Sequence, residues 1–308
     1  MARKKLILSC REMEAVALDI ASTCGEADVK FIPIDWKSFE DGWPNIFVNN
    51  AASLQNADVT FLSSIGTPAD VFAQYSVMCA LPRYGVHSLK IVVPYFPTAT
   101  MERVDEEGQI ATAKTMARLL SSVPPTASGP PQVVIFDIHA LAERFFFGDG
   151  VVPRILSLMP AMAKRLDPAR QVIAFPDAGA QKRYGKVFAA FRQIICHKDR
   201  VGSERKVRII EGDPKDADIV IVDDLVKTGG TLIECRHALI RGGANSVSVL
   251  VVHPVFPQDA WKKFTPDLFS GVIVSDTCHE MAFRVLPHKP FSIFLMDQAL
   301  VPLVLEEC

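Results

Sequence analysis

The stretch that most constrains this chain runs Asp218-Ile-Val-Ile-Val-Asp-Asp-Leu-Val-Lys-Thr-Gly-Gly-Thr231. Ile219 to Val222 form a short β-branched apolar run, the pattern of a parallel strand buried on both faces. Asp223 and Asp224 stand at its carboxyl end. Lys227, Thr228, Gly229, Gly230 and Thr231 then make a tight polar loop, and Leu232, Ile233, Leu239 and Ile240 mark a helical stripe. In an open α/β sheet, ligands bind outside the carboxyl ends of the strands. A glycine loop feeding a helix N-terminus presents N–H groups and a positive dipole end, which suits a phosphate. Paired aspartates above it suit sugar hydroxyls or a divalent cation. The stretch asks for a phosphorylated sugar. The plain alternative is a simple turn at Gly229-Gly230 with the aspartates capping the helix.

The rest of the chain repeats the strand–helix alternation. Strands are expected at 5–8, 29–34, 46–48, 59–62, 89–96, 133–139, 172–175, 247–252 and 271–275. Helices are expected at 13–24, 67–83, 111–120, 153–165, 177–191 and 257–264. Residues 98–109 read as an irregular polar loop, and 121–131 as a proline- and glycine-rich one. Alternation of this kind predicts an α/β fold with mostly parallel sheets. At 308 residues two domains are the natural division, expected as 1–150 and 151–308. A final helix over 297–306 is left open to pack back on the first.

Composition narrows the class. With 49% hydrophobic residues the chain can bury two cores, and no apolar run is long enough to span a bilayer. The basic start, Met1 to Ser9, has too short an apolar part for a signal peptide and reads as a first strand. Seven cysteines stand at 10, 24, 79, 196, 235, 278 and 308, an odd count with no Cys-x-x-Cys pair. That argues against a disulfide framework or zinc site and for a reducing cytoplasm. The net charge of −2, with no basic block, argues against nucleic acid as a partner.

Every polar residue of interest follows an expected strand. Tyr95-Phe96 precede the 98–109 loop, Asp137 and His139 end the next strand, and Asp177 follows Phe175. Lys198 and Arg200 follow Ile195. His139 reads alone as a structural hydrogen-bonding residue; beside Asp137 and the other strand ends, it reads as a metal or phosphate contact. The charged run 197–206 is either a solvated hairpin or a lid that lays Lys198 and Arg200 over a polyphosphate, where phosphoryl transfer needs cations.

Asp223-Asp224 followed by Thr228-Gly-Gly-Thr231 resembles the phosphoribosyl-pyrophosphate (PRPP) motif of phosphoribosyltransferases and ribose-phosphate pyrophosphokinases. The likeness to the pyrophosphokinases extends over roughly residues 4–300. It is carried by Pro94-Tyr95-Phe96-Pro97 with Glu102-Arg103, Phe136-Asp137-Ile138-His139-Ala140, Phe175-Pro176-Asp177-Ala178-Gly179 and Lys198-Asp199-Arg200, in the family's order. Ser38-Phe39-Glu40-Asp41-Gly42 is similar to its Phe-x-Asp-Gly segment near the adenine. The resemblance implies two phosphoribosyltransferase-like domains and transfer of the β,γ-diphosphoryl group of ATP to O1 of ribose 5-phosphate. It implies catalytic roles for Lys198 and Arg200, and ribose 5-phosphate binding by Asp223, Asp224 and Lys227 to Thr231. Phe39, Asp41, Trp43, Thr100, Met101, Glu102 and Arg103 would bind nucleotide, His139 and Asp177 would contact Mg²⁺, and the chain would form a homo-oligomer.

Thr100 and Met101 depart from the family's usual Arg and Gln, and Trp43 stands where a Glu is expected. Residues 39–45, 100–108 and 231–235 resemble instead the plant-type, class II branch. That branch implies activity without added phosphate, weak allosteric control and use of other nucleoside triphosphates besides ATP. A non-catalytic regulatory homologue and a PRPP-consuming phosphoribosyltransferase are the other readings.

Overall fold

Short β-branched runs separated by helical stretches build two parallel sheets. The computed structural model describes residues 3–25, 29–201 and 204–306; the side chains of 198–201 and 204–206 lie outside that description. The chain divides into two compact units: Met1–Leu156 with Met296–Cys308, and Ser157–Leu295.

The first unit contains β1 (Lys5–Ser9), α1 (Glu14–Cys24), β2 (Val29–Phe31), β3 (Ile34–Ser38), β4 (Pro44–Val48), β5 (Asp58–Leu62) and α2 (Pro68–Ala80). It continues with β6 (Ser88–Val93), α3 (Thr112–Leu120), β7 (Gln132–Phe136) and β8 (Val152–Leu156). Its main sheet has the order β2-β1-β5-β6-β7-β8, and every pair is parallel. All six residues of the central β6 are buried, as expected where helices cover both faces of a parallel sheet. β3 and β4 form a separate antiparallel hairpin. The run 29–34, expected as one strand, is broken at Ile32-Pro33, because proline removes a ladder donor.

The second unit contains α4 (Met159–Ala163), β9 (Gln171–Phe175), α5 (Ala178–Tyr184), β10 (Gln193–Val201), β11 (Glu204–Glu211), β12 (Asp218–Val226) and α6 (Gly230–Arg241). β13 (Ser246–Pro254), β14 (Val272–Ser275), α7 (His279–Val285) and β15 (Phe291–Phe294) follow. The sheet order is β11-β10-β9-β12-β13-β14-β15, parallel except for the β10–β11 hairpin. The chain winds outward from β9 in one direction and from β12 in the other. The topological switch point therefore falls between β9 and β12.

The helix expected at 153–165 is instead β8 followed by the short α4. Val152 to Leu156 pair with Gln132 to Phe136, so ladder bonding to a neighbour outweighed the local stripe. The segment Pro257–Lys263 is a kinked 3-10 stretch rather than an α-helix, with Gln258 and Asp259 in the left-handed conformation, and the helix after Asp177 stops at Tyr184. The last helix, α8 (Asp297–Leu305), packs on α1 and β1 of the first unit. Lys90 on β6, 2% exposed, donates from Nζ to the carbonyls of Leu303 at 2.8 Å and Glu306 at 2.6 Å. It thereby satisfies carbonyls that a helix end leaves without intrahelical partners.

Candidate active site

The switch point of the second unit gathers most of the expected residues. β10, β9 and β12 are adjacent, and beyond or within their carboxyl ends lie Lys198 and Arg200, Asp177, and Asp223 with Asp224. β12 runs on to Val226, longer than its apolar core, so both aspartates sit inside the strand, with Asp223 opposite Val251 on β13. Asp224 is buried and Asp223 half-buried, the alternation a strand imposes. Asp224 Oδ2 accepts from Arg183 Nη1 at 3.3 Å and its Oδ1 from the Leu225 amide at 2.8 Å. Asp223 Oδ1 accepts from the Asp224 amide at 3.0 Å.

The loop that follows opens helix α6 without a side-chain cap. Gly229 is the N-cap of α6, with φ 76° and ψ −6° and no side chain capping the helix. The first-turn amides of an uncapped helix, with the dipole behind them, face whatever fills the loop. A Cβ on Gly229 would come within 2.5 Å of the Phe264 ring, so only glycine fits both the conformation and the space. Gly230 opens the helix and Thr231 is its second residue, while Lys227 and Thr228 are exposed. Leu232, Cys235, Ala238 and Leu239 anchor one face of α6 in the core, holding its N-terminus still. Lys263 Nζ donates to the Thr228 carbonyl at 3.3 Å.

Asp177 caps α5, its Oδ1 accepting from the Ala180 amide at 3.0 Å. Lys198 and Arg200 lie in β10, opposite Val207 and Arg205 of β11; their side chains lie outside the described residues. Among the described residues, no group of three His, Cys, Asp or Glu stands ready to hold a metal. Of the two residues expected to contact metal, Asp177 offers a hard oxygen donor just past the end of β9, the kind Mg²⁺ takes when it arrives with phosphates and keeps several waters, and His139 is an exposed imidazole in the first unit.

In the first unit the other expected residues also follow strand ends. Thr98 (φ 66°) and Asp137 (φ 41°) both adopt the left-handed conformation, rare for residues with a Cβ and concentrated at functional sites. Thr98 Oγ1 is buried without a hydrogen-bond partner among the described residues. Asp137 is 1% exposed, and its amide donates to the Leu156 carbonyl at 2.8 Å. His139 is exposed. Thr100 and Glu102 are half-buried, Met101 is exposed, and Arg103 pairs with Asp105 at 3.3 Å on the surface. Phe39, Asp41 and Trp43 occupy the tip of the β3–β4 hairpin. Phe39 and Trp43 are 56% and 59% exposed, and Trp43 meets Phe72 edge-on with centroids 5.3 Å apart.

Four features of the second unit went unread in the sequence. Arg183, Lys263 and Phe264 support the aspartates and the loop. A buried network at the ends of β13 and β14 joins His253 Nδ1 to Thr277 Oγ1 at 2.9 Å and Thr277 to Ser275. Arg183 alone left a signal: a buried carboxylate needs a partner, and α5 is the helix beside β12.

Residues 5–123 match the family model described as the N-terminal domain of ribose phosphate pyrophosphokinase, and residues 156–265 match the phosphoribosyl transferase domain. Ribose-phosphate pyrophosphokinase 3, chloroplastic, of Oryza sativa subsp. japonica is 42% identical over 299 residues, covering 94% of this chain and 73% of that protein. The chain belongs to the ribose-phosphate pyrophosphokinase family. Ribose-phosphate pyrophosphokinase 4 of Arabidopsis thaliana is also 42% identical, over 95% of this chain and 90% of its own. The plant-type likeness of a few segments thus extends over most of this chain. The crystal structure of phosphoribosylpyrophosphate synthetase from Mycobacterium smegmatis shares the fold, with a TM-score of 0.80 at 19% identity over 98% of each chain.

Proposed function

We propose that this pyrophosphokinase moves the β,γ-diphosphoryl group of ATP onto O1 of ribose 5-phosphate, giving PRPP and AMP. The observation that carries the reading is the uncapped α6 N-terminus at Gly229, placed beside Asp177, Asp223 and Asp224 at the switch point. The amides and hydroxyls of Thr228 to Thr231 grip the 5-phosphate. Asp223 and Asp224 take the ribose 2- and 3-hydroxyls, with Arg183 fixing Asp224. That grip aims O1 at the β-phosphorus, and such positioning is worth up to roughly 7–11 kcal/mol in well-oriented cases. Lys198 and Arg200 neutralise charge on the transferring group. A loose transition state asks little of a general base.

Mg²⁺ would supply charge neutralisation on the triphosphate, and Asp177 and His139 would be its protein contacts. Phe39, Asp41, Trp43 and the 100–103 segment bind the nucleotide. Thr100 and Met101 present few polar readers of the base, which favours use of other nucleoside triphosphates. A homo-oligomer is the assembly we assign. No helix of the described residues is long and apolar enough to cross a membrane; the cytoplasmic assignment rests on the cysteine pattern of the sequence.

The test is the nucleotide product. AMP is expected only when ribose 5-phosphate is present, with no nucleobase added. ADP as product contradicts the reading, and a requirement for a nucleobase favours a phosphoribosyltransferase.

A further inference from the structure

Two buried thiols stand where the β10–β11 arm leaves the sheet; Cys235 packs in the core face of α6, and the thiol chemistry of neither enters the roles above. β9 holds β10 only over Gln193 to Ile195. The arm then continues on β11 alone, and its register shifts between Ile195 and Cys196. Cys196 thus sits at the irregularity from which the arm departs, the kind of feature that bends and re-aims a strand. Its sulfur lies 3.5 Å from that of Cys235. Cys235 is on α6, five residues past Gly230, where that helix opens onto the phosphate loop. Both cysteines are 0% exposed.

The Cys235 thiol donates to Cys196, and this hydrogen bond holds Cys196 below the ordinary thiol range against the opposing effect of burial. Burial instead pushes Cys278 up to about 12 and raises Cys10 further. The thiolate is the reactive form, and as the acceptor of the Cys235 hydrogen bond Cys196 is the sulfur of the pair on which that form is favoured.

We propose that Cys196 and Cys235 form a reversible disulfide that ties the arm bearing Lys198 and Arg200 to the phosphate-binding helix and so switches the enzyme off under peroxide. The proposal rests on the functional reading above for the consequence, and on geometry alone for the bond. The Cys196 thiolate attacks one oxygen of hydrogen peroxide; the O–O bond breaks, hydroxide leaves and takes up a proton, and a sulfenic acid forms. The Cys235 sulfur then attacks the Cys196 sulfur, the S–O bond breaks, water leaves, and the S–S bond closes. Two thiols lose two electrons, and one peroxide is reduced to two waters. The sulfurs must approach by about 1.5 Å to bond, and the irregular base of the arm is the part of β10 placed to supply that shift.

The experiment treats the full-length protein with hydrogen peroxide, blocks remaining thiols, and maps peptides by mass without reduction. A Cys196–Cys235 cross-linked peptide is expected. Its appearance should parallel a fall in kcat of about 100-fold, the scale that a 1 Å misplacement carries, and dithiothreitol should reverse both. Cys235→Ser, close in size to the buried thiol, should lose the rapid peroxide response when each sample is scored against its own untreated activity, and Cys235→Ala serves as the second variant if serine lowers the thermal midpoint. Absence of the cross-link, or a cross-link that leaves kcat unchanged, overturns the proposal. Inactivation at the same rate in the Cys235 variants overturns it too. The cross-link is read by mass, so reduced protein that makes no AMP counts against the functional reading and leaves the bond result intact.

Discussion

At Gly229 two separate requirements meet in one residue. Its φ of 76° is costly for any side chain, and the Phe264 ring stands where a Cβ would go. Gly229→Ala should therefore cost about 1–3 kcal/mol, the scale of a strained backbone position, and displace the first amides of α6. The KM for ribose 5-phosphate should rise far more than the KM for ATP; an equal rise in both would remove the loop from sugar binding. Arg183 poses a different question. It meets Asp224 at 3.3 Å with side chains only 17% and 8% exposed. Arg183→Met leaves a buried carboxylate without that partner, a loss on the order of 3 kcal/mol, readable as a lower urea midpoint. A change below about 0.5 kcal/mol, the scale of a neutral surface substitution, would make the pair incidental.

At the scale of elements, the arm and the last helix each carry a prediction. If the β10–β11 arm brings cations to the transferring group, Lys198→Ala should lower kcat by orders of magnitude and leave ribose 5-phosphate binding intact. A near-normal kcat would remove the arm from the chemistry. Helix α8 is tied down through Glu306, whose carboxylate accepts from Arg154 at 2.7 Å. That guanidinium holds the Glu306 carboxyl below its ordinary value of 4.5. A carboxyl depressed in the fold stabilises above its unfolded value and loses that contribution as pH falls through the folded one. Wild type should thus melt higher than Glu306→Gln at neutral pH, and the gap should close in acid below about 4.5. A gap independent of pH would assign the difference to packing.

The elements differed in how far sequence exposed them. β12 and α6 were legible because an apolar run, a glycine turn and a helical stripe agree with one another. Residues 153–165 misled because the pairing of Val152 to Leu156 with β7 is a tertiary fact that no local pattern contains. Phe264 and Arg183 were invisible for the same reason: each acts on a residue some 35 to 41 positions away, and only the folded sheet brings them together.

At the scale of the whole molecule, two units each wind outward from a switch point, but they differ in where their expected residues lie. In the second unit the aspartates fall at the switch between β9 and β12. In the first, the switch lies between β1 and β5, whereas the 98–103 loop and His139 follow β6 and β7. The first unit thus repeats the architecture without placing its expected residues at its own switch. A net charge of −2 provides no long-range pull on anionic substrates, so binding rests on the local groups named above. Phosphorus NMR of the protein with Mg²⁺, ATP and ribose 5-phosphate follows every phosphorus in one spectrum. The account predicts that the triphosphate signals give way to AMP and to a sugar carrying both its 5-phosphate and a new diphosphate at C1. Conversion of ATP to ADP and inorganic phosphate, with the pentose signal unchanged, would contradict it.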